Sequence, residues 1–149
     1  IGDVLHSRVA RSNIKLLRKL GSEVRVITPP TFITKGYREW LKESFDVEVF
    51  ESLEEGIADV NVIMMLRIQQ ERMQGCYIPS LEEYFKLYGL NHKKISNAKP
   101  DVLVMHPGPM NREIEISSQL ADDSDVSLVL EQVEAGAAVK QAILKYLSS

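Results

Sequence analysis

Apolar positions along this 149-residue chain change period several times, and each change marks an element. Val9, Ala10, Ile14, Leu17 and Leu20 recur at three- and four-residue steps, which predicts an amphipathic helix over residues 8–20. Gly21 closes it, because glycine takes the left-handed conformation that ends helices at little cost. Glu23-Val24-Arg25-Val26-Ile27 reads as a strand, and Thr28-Pro29-Pro30 stops it because proline offers no N–H to a sheet. Residues 37–44 read as a helix and residues 47–50 as a short strand. Ser52 with Glu55, and Ser80 with Glu83, have the spacing of a capping box, so helices are expected over residues 53–58 and 80–87. Residues 60–66 and 102–105 are apolar runs, the first interrupted only by Asn61, as in strands buried on both faces. Val126, Val129, Leu130, Val133 and Ala137 mark a last helix that starts near Ser124 and runs almost to the end.

Strands alternating with helices imply an α/β domain with a mainly parallel sheet. Ligands of such sheets bind beyond the carboxyl ends of the strands, which directs attention to the residues after Asp3, Ile27, Leu66 and Met105. Composition narrows the function classes further. The net charge of −3 gives no basic field, and His92-Lys93-Lys94 is too short a run to be more than a solvated patch, so no nucleic-acid partner is expected. One cysteine, Cys76, cannot form an internal disulfide, which fits a reducing cytoplasm. No apolar run approaches the ~18 residues that span a bilayer, so no membrane partner is expected. Ile1-Gly2-Asp3 reads like the tail of a strand and no initiator methionine precedes it, so a domain of a longer chain is expected.

Three strand ends carry candidate chemistry. Gly2-Asp3-Val4-Leu5-His6-Ser7-Arg8 hands a strand to a helix, and Arg8 would add a two-pronged anion clamp to the helix N-terminus. Taken alone it equally fits a surface arginine. Leu66-Arg67-Ile68-Gln69-Gln70-Glu71-Arg72 places Arg67 and Gln69 on one side if strand geometry continues, with Glu71 able to hold the guanidinium. A solvated turn would read the same way. His106-Pro107-Gly108-Pro109-Met110-Asn111-Arg112 is the most specific segment. Its prolines remove two N–H donors and leave carbonyls free to accept from a ligand, and a cis X-Pro bond fits there. A tight structural turn is the plainer alternative. No G-x-G-x-x-G follows a strand, no zinc-ligand spacing exists, and His6, His92 and His106 each stand alone, so a hydrolase or metalloenzyme is unsupported.

Taken together, Gly2-Asp3 with His6-Ser7-Arg8-Val9-Ala10-Arg11-Ser12-Asn13, then Arg67-Ile68-Gln69 with Glu71-Arg72, then His106-Pro107-Gly108-Pro109-Met110-Asn111-Arg112, resemble the aspartate-binding domain of aspartate transcarbamoylases. The terminal stretch Gln132-Val133-Glu134-Ala135-Gly136-Ala137-Ala138-Val139 resembles that family's final helix. The resemblance covers nearly the whole chain in order. It implies a Rossmann-like three-layer α/β/α domain over residues 1–149, normally preceded by a carbamoyl-phosphate domain. It implies carbamoyl transfer from carbamoyl phosphate to L-aspartate, the committed step of pyrimidine biosynthesis, with no cofactor. Arg8, Arg67 and Gln69 would grip the carboxylates of aspartate, and Glu71 would orient Arg67. The carbonyls of Pro107 and Gly108 would meet the carbamoyl amide and the attacking amine, and Gly108-Pro109 would be cis. Arg72, His106 and Pro109 would support this arrangement. Residues 73–90 would match a loop that closes over substrate. Other members carry leucine where Gly108 stands here.

The family's phosphate loop has no counterpart in this sequence, nor does the basic residue that a neighbouring subunit contributes, so the chain alone is expected to be inactive. The implied partners are the preceding domain and a homotrimer of full chains, with a regulatory subunit or a dihydroorotase left open. An exposed apolar patch along the last helix is expected, because in the family that helix packs on the preceding domain. An ornithine transcarbamoylase would carry a Ser-Met-Gly loop and a cysteine after the last strand, neither of which occurs. A non-catalytic scaffold would be expected to lose Arg8, Arg67 and Gln69, which are present. A dinucleotide binder would need the absent glycine fingerprint.

Overall fold

The computed structural model describes residues 1–68 and 80–148. The helices are α1 (Arg8–Lys19), α2 (Lys35–Phe45), α3 (Leu53–Gly56), α4 (Leu81–Tyr88), α5 (His92–Ile95), α6 (Ser118–Ala121) and α7 (Val129–Leu147). The strands are β1 (Arg25–Ile27), β2 (Glu48–Phe50), β3 (Val62–Met64) and β4 (Leu103–Met105), and a 3-10 turn spans Pro30–Phe32. β1 pairs in parallel with β2, and β3 with β4. Ile1 and Gly2 join the two pairs. The Gly2 N–H donates to the Ile27 carbonyl at 2.9 Å, while Ile1 exchanges bonds with Met64 and Leu66 in the parallel pattern. Ser127 adds a parallel bridge beside Val104 on the far side. Numbered along the chain, with Ile1-Gly2 first and Ser127 sixth, the order across the sheet is 3-2-1-4-5-6. The order therefore reverses between the Ile1-Gly2 segment and β3, and ligands of doubly wound sheets sit at the carboxyl side of such a switch point.

Both sheet faces are covered, and alternation along the strands divides the core. Ile27, Ile63, Met65 and Val104 pack with Phe32, Leu53, Ile57, Tyr84, Tyr88, Leu90 and Leu120, under α3 to α6. Val26 and Leu66 point the other way, into Ala10 and Ile14 of α1 and Leu41 of α2. The expected capping serines hold. Ser52 accepts from the Glu55 N–H at 3.3 Å and Ser80 from the Glu83 N–H at 3.0 Å.

Three elements differ from the pattern reading. The last helix begins at Val129 rather than near Ser124, because Ser127 is used as a sheet rung. Leu17 and Leu20 of the α1 stripe face solvent, and only Ala10 and Ile14 are buried there. His92-Lys93-Lys94 is not merely a surface patch. It forms α5, whose Lys94 Nζ donates to the carbonyls of Phe85, Lys86 and Gly89 at 3.1, 2.8 and 2.7 Å and so closes the C-terminus of α4. Burial pulls the Lys94 pKa below its ordinary value. No described helix is long and apolar enough to cross a membrane.

The expected patch on the last helix is present. Val129 is the one buried residue of α7, whereas Leu130 is 77% exposed and Leu147 75%, with Val133, Val139, Ile143 and Leu144 also open.

Candidate functional site

Three neighbouring strand ends converge at the switch point. At the first, Gly2 has φ +117°, a conformation that favours glycine. A Cβ at Gly2 would stand 3.1 Å from both the Leu66 carbonyl oxygen and the Tyr84 hydroxyl. The missing side chain thus lets three elements meet. Asp3 follows, fully buried, and its carboxylate accepts from the His6 backbone N–H at 3.1 Å and lies 3.0 Å from His6 Nδ1. Ser7 then caps α1, accepting from the Ala10 N–H at 3.1 Å. That turn delivers Arg8 as the first helical residue, exposed and without a side-chain partner among the described residues. The first turn of α1 holds no acidic side chain.

At the second strand end, the Met65 N–H donates to the Met105 carbonyl at 2.9 Å, and Arg67 follows, half-buried. Gln69, Glu71 and Arg72 lie outside the described residues, as do Cys76 and the first part of the expected closing loop, residues 73–79, whereas Leu81–Tyr88 of that loop form helix α4.

The third strand end follows β4. The His106 ring is buried, and its Nδ1 accepts from the Gly108 N–H at 2.9 Å. An accepting Nδ1 carries no proton, so the ring proton sits on Nε2, which faces the Glu115 carboxylate at 3.7 Å. Gly108 is exposed with φ +62°, and the Gly108-Pro109 bond is cis, as expected. The carbonyls of Pro107 and Gly108 accept no hydrogen bond from any described residue. The edge therefore offers a cation from each of two strand ends and two free acceptors from the third, a set suited to an amino-acid ligand with more than one carboxylate.

Sequence reasoning missed two groups here. Glu115 is fully buried and gathers N–H groups from two of the loops. Tyr84 is buried beside Gly2 with a hydroxyl that has no hydrogen-bond partner among the described residues. Burial first, then the charges of Glu115 and Asp3, push its phenol well above the usual tyrosine range. Arg112, within the most specific motif, turns away to a two-pronged surface pair with Asp122 at 2.7 and 2.6 Å.

A family model described as "Aspartate/ornithine carbamoyltransferase, Asp/Orn binding domain" matches residues 1–147. The aspartate carbamoyltransferase catalytic subunit of Parvibaculum lavamentivorans is 56% identical over 147 residues, which is 99% of this chain and 43% of that protein. The catalytic subunit of the same name from Rhodospirillum rubrum is 54% identical over 147 residues, 99% of this chain and 44% of that protein. The chain thus spans less than half the length of these relatives. Among solved structures, the ornithine carbamoyltransferase from Pyrococcus furiosus superposes with a TM-score of 0.76 at 24% identity, covering 96% of this chain and 46% of that one. At that identity the likeness concerns the fold.

Proposed function

The chain belongs to the aspartate/ornithine carbamoyltransferase family, and we propose that it supplies the L-aspartate half of an aspartate carbamoyltransferase site. The observation that carries this reading is the 54–56% identity to aspartate carbamoyltransferase catalytic subunits along 98–99% of the chain. The cations and free carbonyls at the switch point support it.

In the proposed reaction the aspartate amine attacks the carbamoyl carbon of carbamoyl phosphate. A C–N bond forms, the C–O bond to phosphate breaks, the amine loses a proton, and N-carbamoyl-L-aspartate and phosphate are released. Arg8 and Arg67 hold the two carboxylates, with Gln69 as a further donor. Glu71 and Arg72 support them. The Pro107 and Gly108 carbonyls accept from the amine and the carbamoyl N–H groups, and His106 and Pro109 hold that turn. Since the amine is the nucleophile, no side chain need attack. Holding it in line can account for about 7–11 kcal/mol of a bimolecular barrier. An acceptor with one carboxylate leaves one of the two arginines without its substrate partner, so it is rejected.

The phosphate half of the site belongs in this reading to a preceding domain, which the greater length of the relatives accommodates. The exposed apolar face of α7 is the natural surface for that domain. Full chains would act as a cytoplasmic homotrimer in pyrimidine biosynthesis, and family membership leaves dihydroorotase or regulatory subunits open as further partners. The test is a carbamoyl-transfer assay with this chain alone and with its preceding domain attached, offering L-aspartate and L-ornithine. Transfer to aspartate by the longer protein only is the expected result. A folded longer protein that ignores aspartate would move the reading to a scaffold or to another acceptor.

A further inference from the structure

Beyond Met65 and Met105 the backbone ladder between β3 and β4 ends, yet the two loops that follow are still tied together. The tie is one buried side chain. Glu115 Oε1 accepts from the Ile68 N–H at 2.8 Å and from Asn111 Nδ2 at 2.7 Å. Its Oε2 accepts from the Asn111 N–H at 2.6 Å and faces His106 Nε2 at 3.7 Å. Asn111 Nδ2 also lies 3.5 Å from the Ile68 carbonyl, within reach of the other loop. Ile68 is the residue after Arg67, and Asn111 stands three residues after Gly108. The carboxylate thus acts as an extra rung, built from a side chain, across the point where the loops leave the sheet.

A buried carboxylate is a costly way to fill a core, and an apolar side chain of similar volume often serves stability as well or better. What an apolar side chain cannot do is fix two N–H-bearing loops at set positions. From this geometry we infer that Glu115 is a positioning residue for the transfer reaction. It fixes the arginine that grips a substrate carboxylate relative to the carbonyls that receive the substrate amine. The inference rests on the assignment of Arg67, Pro107 and Gly108 to the aspartate site. Glu115 itself touches no substrate. Its effect is to set the distance between two contacts that one small molecule must make together.

The test uses the protein with its preceding domain. Glu115→Gln keeps the shape but turns an NH2 group toward an N–H donor, and Asn111→Ala removes a single side-chain donor. A displacement near 1 Å can cost about 10²-fold in rate. Glu115→Gln is therefore expected to lower kcat/KM for L-aspartate by about that factor, mainly through a raised KM, and Asn111→Ala by roughly 10-fold, with the KM for carbamoyl phosphate little changed in both. Leu53→Ala, a core change on α3 away from the site, supplies a variant of reduced stability for comparison. If Glu115→Gln does not fold, Asn111→Ala carries the measurement. The inference is overturned if Arg67→Ala raises the aspartate KM while the Glu115 and Asn111 variants leave it within twofold. It is equally overturned if their losses fall on both substrates alike, as for Leu53→Ala. If Arg67→Ala leaves aspartate use normal, the site assignment fails first and the positioning role with it.

Discussion

Gly2→Ala offers the sharpest check on how the strand ends are fitted together. The residue stands at φ +117°, which side chains rarely adopt, and strain of that kind costs roughly 1–3 kcal/mol. The added methyl would then meet the Leu66 carbonyl oxygen and the Tyr84 hydroxyl, each 3.1 Å from its Cβ. Neither neighbour yields easily. The Leu66 N–H is bonded to the Ile1 carbonyl at 2.8 Å, and the Tyr84 ring stacks on Tyr88 at 5.6 Å. Overpacking of this kind adds about 1–3 kcal/mol, and the stiffer unfolded chain returns only about 0.4–1 kcal/mol. The expected loss is therefore roughly 2–5 kcal/mol. Urea denaturation followed by fluorescence reads it well, because Trp40 is the only tryptophan and stacks on Tyr37 at 5.5 Å. Adding Tyr84→Phe should recover part of the loss, since the oxygen met by the methyl is then gone. A Gly2→Ala protein within about 0.5 kcal/mol of wild type would refute the reasoning, as that is the range of a neutral surface change.

Three further outcomes follow from the structure. Tyr84→Phe alone removes a buried hydroxyl with no partner among the described residues, so stability should be unchanged or raised by up to about 2 kcal/mol, and a clear loss in the same assay would reveal a hidden bond. The Asp122 carboxyl is held below its ordinary value chiefly by its hydrogen bonds to Arg112. A depressed folded pKa contributes stability above the unfolded value near ~4, lost as pH falls through the folded one, so Asp122→Asn should lower Tm slightly at pH 7, where that contribution is complete, and flatten its decline below about pH 4 until the two proteins converge in acid. Leu144→Lys on the open face of α7 should leave the isolated chain within about 0.5 kcal/mol of wild type but destabilise the protein that carries its preceding domain. Equal effects in both proteins would show that α7 has no cover to lose.

The apolar skeleton was legible because strand and helix periods act on the residues that burial selects. The β3 and β4 runs and the Ser52 and Ser80 caps follow from local rules that tertiary context did not override, whereas the choice of Gly108-Pro109 as the cis bond came from the family resemblance. Where context did override them, the cause is visible. A helix from Ser124 was the better local choice, but Ser127 is taken by the sheet, and pairing beside Val104 delays the helix to Val129. The 3-10 turn at Pro30 and the short helices α5 and α6 are single turns, too brief for a period to register.

The buried polar groups were illegible for a different reason. Arg8, Arg67 and the Pro107-Gly108 turn announce themselves, since they stand where strands end and their chemistry is unusual there. Glu115 sits between Ile114 and Ile116 and alternates with Glu113, so its sequence context is that of a solvent-facing acid. Glu113 and Glu115 in fact do opposite things. Glu113 stays exposed and accepts the Ser118 N–H at the start of α6, whereas Glu115 is enclosed and accepts donors from two loops, one of them 47 residues away. Nothing local separates the two, because the donors that permit Glu115 to be buried are brought by the sheet rather than by its neighbours. The same holds for Asp3, whose carboxylate is tolerated because the turn to His6 brings both a backbone N–H and the ring Nδ1 to it. At this sheet edge the residues expected to touch substrate are the readable ones, while those that set their spacing become visible only after the strands are placed in order.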